Sequence, residues 1–181
     1  MINIISYYTK DTPYETLAGS FKLHMEEYNL SYYLYPVDNL GKWELNCAQK
    51  SIIIKSALAG FPEYDILYID IDAIVMRQPP FETIHRNLPG ICFAGAKTLA
   101  SGTIFFPNNK VSTDLVDRWI EQQKKELMEW DQRDLYKVLK MGEYYRMSDI
   151  WCSIKDIQEV PNAVIFHTQK SREFKSVINK T

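Results

Sequence analysis

The chain has 181 residues, 46% hydrophobic and 24% charged, with 7 Gly and 8 Pro. That length suits one domain, residues 1–181, with a sizeable core, and the composition excludes collagenous and low-complexity classes. A formal charge of −2, from 21 Lys+Arg against 23 Asp+Glu, excludes a whole-surface basic field of the kind that grips nucleic acid. No apolar run approaches the roughly 18 residues of a membrane helix, so no integral membrane segment is expected. The start, Met1 to Ile5, lacks the basic flank and long apolar stretch of a signal peptide. Cys47, Cys92 and Cys152 are odd in number and far apart, which points to a reducing, cytoplasmic setting rather than to disulfides or a metal knuckle.

In chain order, Ile2–Tyr8 reads as a buried strand. Thr12-Pro13-Tyr14-Glu15 supplies a cap, a proline for the first helical position and a capping-box acid. Leu17, Phe21, Met25 and Tyr28 then share one helical face. Ser31–Tyr35 is a second strand closed by Pro36, and a helix over Asn46–Ala59 stops at Gly60. Asp65–Ile69 is a short strand without polar alternation, as expected when both faces are covered. Ile91–Ala94 and Thr103–Phe106 are further strands. Helices are expected over Thr113–Trp130, with Leu115, Val116, Trp119, Ile120 and Leu127 inside, and over Gln132–Met141, ended by Gly142. Tyr144–Met147 and Ala163–Phe166 are late strands, and Lys170, Arg172, Lys175 and Lys180 give the end a basic excess. Such strand–helix alternation predicts an α/β layer fold with a mainly parallel sheet, whose ligand sits beyond the carboxyl ends of the strands.

Asp70-Ile71-Asp72 falls at such an end. On a strand, side chains alternate with period two, so both acids would face one site. Two neighbouring carboxylates repel unless a cation or proton relieves them. A hard divalent ion, Mn²⁺ or Mg²⁺, is the natural partner, and such ions also bind substrate phosphates. Asp-x-Asp arises often by chance, and a solvated turn is the competing reading. The apolar flanks, Ile66 to Ile69 and Ala73 to Met76, weigh against that alternative because buried acids without a partner are costly.

Tyr68-Ile69-Asp70-Ile71-Asp72-Ala73-Ile74-Val75 resembles the DxD segment of GT-A fold nucleotide-diphospho-sugar transferases, most closely the galactosyltransferase/glycogenin-like (family 8-like) group. The resemblance continues in order across most of the chain. Ile4–Thr9 is similar to the first strand that holds the nucleoside, implying donor contacts for Tyr8 and Thr9. Lys50 lies where the group places a basic residue near the donor. Ala100-Ser101-Gly102, running into Thr103–Phe106, resembles the strand beside the sugar, with Ala100 where the family has Asn. Asp131-Gln132 resembles the family's "DQ" pair at a helix start. His167, followed by Lys170, resembles a late metal ligand and phosphate contact, although the family's longer His-x-x-Gly-x-x-Lys-Pro-Trp pattern is reduced here.

The resemblance implies a single-domain GT-A-like (Rossmann-like) α/β/α sandwich. It also implies a metal-dependent glycosyltransferase moving a hexose or pentose from a nucleotide-diphosphate donor to an acceptor hydroxyl, with retention. Metal ligation is then expected at Asp70, Asp72 and His167, donor binding at Tyr8, Thr9, Lys50, Asp70, Ser101, Gly102, Lys170 and Arg172, and catalytic contacts at Asp131 and Gln132. Each has a plain alternative: core packing for Tyr8, a turn for Ser101-Gly102, a helix cap for Asp131, and a solvated tail for Arg172. His24 and His85 have no partner in sequence and are read as non-catalytic. The acceptor stays open among a glycan, a lipid-linked sugar, a protein and a modified nucleic-acid base. A small enzyme of this kind would suit a virus acting in the host cytoplasm, or a bacterial surface-glycan cluster. Two other functions compete: a sugar-nucleotide-binding module without turnover, and a metal-dependent phosphotransferase or nuclease, which would need further acidic ligands nearby.

Overall fold

The computed structural model describes residues 1–126 and 129–179. Leu127, expected inside a helix, and Lys180 of the basic end lie outside the described residues. In order the elements are β1 (Ile2–Thr9), α1 (Pro13–Glu27), β2 (Tyr32–Val37), α2 (Trp43–Gly60), β3 (Asp65–Ile69), β4 (Ala73–Val75), β5 (Gly90–Ala94) and β6 (Thr98–Phe106). There follow α3 (Lys110–Lys125), α4 (Asp131–Val138), β7 (Tyr145–Arg146), β8 (Ser153–Ile154), β9 (Ile165–His167) and α5 (Ser171–Ile178).

The central sheet has the order β2-β1-β3-β6-β5-β7. β1 pairs in parallel with β2 and β3, as does β5 with β7, while β6 runs antiparallel to both β3 and β5. The sheet is therefore mainly parallel, as expected, with one reversed strand. That reversal follows from the short β5–β6 connection, which can join only antiparallel neighbours. Adjacent residues face opposite sides. Ile4, Leu67 and Phe105 pack with Phe21 and Met25 of α1, whereas Ile5, Ile66 and Phe106 pack with Ile54, Leu115, Trp119 and Leu135 of α2, α3 and α4. Both faces are covered, which is why the strand sequences lack polar alternation. A second sheet, β4-β9-β8, lies on the α1 side, with Ala73, Val75, Ile154 and Ile165 in the same core cluster as α1.

Several sequence expectations are corrected. Pro36 does not close its strand; β2 runs on to Val37 because it is the sheet edge, where a proline's missing N–H costs no ladder bond. Thr12 does cap α1, accepting from the Tyr14 amide at 3.3 Å, but Glu15 accepts from Asp11 N rather than from Thr12. Asp11 has φ +58°, which turns its amide toward Glu15. α4 stops at Val138, short of Gly142. The basic end contains a helix, α5, absent from the sequence expectations.

Candidate active site

Two antiparallel pairings flank Asp70-Ile71-Asp72 and build the site. On one side Ile69 pairs with Thr103, and Asp70 N donates to Gly102 O at 2.8 Å, which brings Asp70 beside Ser101-Gly102. On the other side Ala73 pairs with His167, which brings Asp72 beside the end of β9. The two acids do not lie on a strand as the alternation argument assumed. Asp70 to Ala73 is a turn closed by Ala73 N donating to Asp70 O at 3.0 Å, and the turn, not strand periodicity, converges the carboxylates. Asp70, Asp72 and His167 each offer one ligand atom, and these atoms all lie within 4.8 Å of one another.

These groups open into a cavity of about 530 Å³ beyond the carboxyl ends of β1 and β3. That volume lies in the usual range for a small-molecule site, roughly 300–1,000 Å³. Every residue expected at the site from sequence lines the cavity except Lys170. Lys170 Nζ instead contacts both carboxylate oxygens of Glu173, at 3.0 and 2.9 Å, because α5 places the acid three residues on and on the same face. Only the Lys170 backbone serves the site, its N–H donating to Asp72 Oδ2 at 2.9 Å. Thr168 Oγ1 donates to Asp72 O at 2.9 Å, so the residues after His167 hold the turn from behind. His24 and His85 lie outside the cavity lining.

Lys50 is the keystone. It is buried on α2, and its ammonium lies 3.1 Å from Asp70 Oδ1, 2.9 Å from Asp131 Oδ2 and 3.2 Å from both Ser101 O and Ser101 Oγ. Ser101 Oγ also donates to Asp131 Oδ2 at 3.0 Å. One cation thus ties together three motifs that are far apart in sequence. Burial works against the Lys50 charge, but Asp131 and Asp70 outweigh it and hold the ammonium well above its ordinary range. Asp131 is buried within this network, and its backbone oxygen accepts from Trp119 Nε1 at 2.9 Å. It starts α4 without acting as its cap, a place taken by Trp130. Gln132, beside it, is half-buried in the cavity wall.

The two acids of the turn titrate in opposite directions. Burial pushes Asp70 up, yet Lys50, His167 and the Tyr68 hydroxyl at 2.6 Å bring it below the usual range. Asp72 is raised by burial and by the Asp70 charge, and Lys50 helps it less. Burial pulls His167 down, but Cys152, Asp70 and Asp72 prevail and raise it to about 9. A positive charge between the two acids is therefore favoured; in the metal-free protein the protonated imidazole supplies it, and a bound cation would take its place as His167 gives up the proton.

Gly102 is needed in the interior of β6, not in a turn. A Cβ there would sit 2.6 Å from His167 Cε1, 2.8 Å from its Nδ1 and 3.1 Å from Asp70 Oδ2. The missing side chain makes room for the imidazole, which is oriented by Thr103 Oγ1 at 2.9 Å from Nε2. Sequence reasoning missed Trp43, Tyr14, Trp130, Lys175 and Cys152, all of which line the cavity. An aromatic content of 13%, with 12 Tyr, was the one available signal, and it did not say which rings gather here.

No protein-family model and no curated protein sequence matches the chain. Solved structures do. A glycosyltransferase involved in the glycosylation of the major capsid of PBCV-1 superposes with a TM-score of 0.76 at 17% identity, covering 99% of each chain. The galactosyltransferase LgtC, solved with donor and acceptor sugar analogs, gives 0.55 at 14% identity, covering 99% of this chain and 96% of its own. The chain has the GT-A-like α/β fold of these glycosyltransferases.

Proposed function

We propose that the chain is a metal-dependent glycosyltransferase that moves a sugar from a nucleotide-diphosphate donor to an acceptor hydroxyl. The observation that carries this is the convergence of Asp70, Asp72 and His167 within 4.8 Å inside the cavity. Ligand atoms about 2.1 Å from one ion lie up to about 4.2 Å apart, so a slight closure of side chains completes the set. Two carboxylates and an imidazole suit Mn²⁺, with Mg²⁺ as the second choice. When bound, the ion would neutralise charge developing on the departing diphosphate. Gly102→Ala is expected to weaken Mn²⁺ binding roughly 10- to 100-fold by displacing His167, as measured by calorimetry.

The remaining work falls to this chain's own residues. Lys50 keeps Asp70 ionised and fixes Asp131 and Ser101 against the cavity wall, with Gln132 alongside for the sugar. Tyr8 and Thr9, at the end of β1, wall the nucleoside end. Ser171, Arg172 and Lys175 of α5 turn toward the cavity. Among the described residues the Arg172 side chain has no carboxylate partner, so its guanidinium is available for bidentate contact with the diphosphate. Arg172→Ala is expected to raise the donor KM about tenfold, a loss of one charge-assisted contact, whereas Lys170→Ala shifts it by no more than about twofold. Steady-state kinetics on both variants checks the reassignment.

Among the described residues, no second cluster of metal-ligating side chains accompanies the triad. A two-metal nuclease or phosphotransferase finds less support for that reason. No helix among the described residues is long and apolar enough to cross a membrane. Retention of configuration and transfer of a hexose or pentose come with the resemblance to the galactosyltransferase/glycogenin-like group. The involvement of the PBCV-1 glycosyltransferase in glycosylation of a major capsid favours a virus-encoded protein acting on a protein-borne glycan. The deciding experiment is hydrolysis of a panel of nucleotide sugars with Mn²⁺ and with EDTA. Turnover of at least one donor, abolished by EDTA, is expected; metal-independent binding with no turnover would instead indicate a binding module.

A further inference from the structure

The mouth of the cavity carries an aromatic corner that donor chemistry leaves unused. Trp43, the first residue of α2, and Trp130, the cap of α4, meet edge to face, with ring centroids 5.9 Å apart at 81°. Both line the cavity, and Trp130 is 43% exposed although indoles are usually well covered. Trp130 directly precedes Asp131 and Gln132. The Lys175 ammonium lies 4.5 Å from the Trp43 centroid and 5.4 Å from that of Trp130, and the Arg133 guanidinium lies 5.2 Å from Trp130. Each cation already has a carboxylate: Glu44 at 2.7 Å from Lys175, and Glu129 at 3.3 Å from Arg133.

The corner is therefore close to neutral. It combines two apolar ring surfaces with a border of paired hydrogen-bonding charges. A pyranose matches that combination, since it has a C–H face for an indole and hydroxyls for the Lys–Glu border. Among the described residues, an anionic ligand would find no unpaired cation on these rings. A lipid chain would have to cover the bordering charges. Tyr8 and Thr9, assigned above to the nucleoside, line the same cavity from the end of β1, whereas the two indoles come from the starts of α2 and α4 and have no part in that assignment.

We propose that Trp43 and Trp130 form the acceptor subsite, stacking a neutral pyranose of a glycan with a hydroxyl turned toward Asp131 and Gln132. This rests on the glycosyltransferase assignment above. Saturation-transfer NMR on the full chain, with diamagnetic Mg²⁺ in place of Mn²⁺ and with UDP or GDP, tests it, using methyl pyranosides of glucose, galactose, mannose and xylose as probes. The wild type is expected to give signals from the nucleotide and from at least one pyranoside. Trp130→Ala is expected to weaken the saccharide about fivefold to tenfold, and Trp130→Phe to restore it to within about twofold. Tyr136→Ala, exposed on α4 and away from the cavity lining, serves as the neutral control. Should Trp130→Ala fail to fold, a shift of wild-type tryptophan emission on saccharide titration replaces it, and an unmoved spectrum counts against the corner. Nucleotide signals without any pyranoside signal, or a saccharide affinity indifferent to Trp130→Ala, would overturn the subsite alone. Absence of nucleotide signals would remove the glycosyltransferase assignment and the subsite with it.

Discussion

Asp72→Asn is expected to lower donor turnover by roughly two to three orders of magnitude while leaving the fold intact or slightly more stable. Asp72 is the acid whose carboxyl is raised by burial and by Asp70 beside it, so in the metal-free protein its negative charge is a burden. An amide at this position removes the repulsion. Its oxygen can still accept from Lys170 N, which lies 2.9 Å from Asp72 Oδ2. Mn²⁺ loses an anionic ligand. The pairing of lost activity with an unchanged or higher Tm separates a ligand role from a structural one. A variant that unfolds, or one that keeps normal turnover, would show that the turn is not organised around a cation.

Lys50→Met is expected to do the opposite, striking stability first. Its ammonium is the counter-charge of Asp131, whose side chain is 7% exposed, and of Asp70. Removing one member of a buried ion network typically costs about 3–5 kcal/mol, because the remaining charge stays buried without compensation. For a domain of this size that corresponds to a fall in Tm on the order of 10 °C. The double variant Lys50→Met/Asp131→Asn is expected to recover part of the loss, because it removes one of the stranded charges; urea unfolding of the four proteins in the cycle measures the coupling. Additive effects would mean that Lys50 and Asp131 act independently, contrary to the 2.9 Å contact.

Much of this site was legible before any coordinates. The strand Asp65–Ile69 was read with its observed limits because a short apolar run ahead of two acids has few other solutions. The first strand and the Thr12-Pro13 helix start were readable for equally local reasons. What stayed hidden was set by pairing at a distance. The three-residue β4 and two-residue β8 carry too little pattern to be seen, and they exist because β9 lies between them. The segment Thr98–Gly102 has weak strand propensity in Ala, Ser and Gly; pairing with β5 holds Thr98 to Ala100, while Ser101 and Gly102 fall where that ladder shifts register, Gly102 being tied to Asp70 instead. α5 was masked by its charge, since Arg172, Glu173 and Lys175 read only as a basic excess, and its anchoring shows where Phe174 meets the ring of Tyr14 at 5.1 Å. The same helix places the Lys170 ammonium, expected on phosphate, against the neighbouring Glu173. Lys50 was located by the resemblance, but its contacts with Asp131 and Ser101 needed the fold.

The most direct test is electron paramagnetic resonance of Mn²⁺ titrated into the protein with a nucleoside diphosphate, in wild type and in His167→Ala. A bound-ion spectrum carrying nitrogen coupling in the wild type, with that coupling gone in the variant, is the expected result. Free-ion spectra throughout, or a nitrogen coupling that survives loss of His167, would contradict a cation held by Asp70, Asp72 and His167.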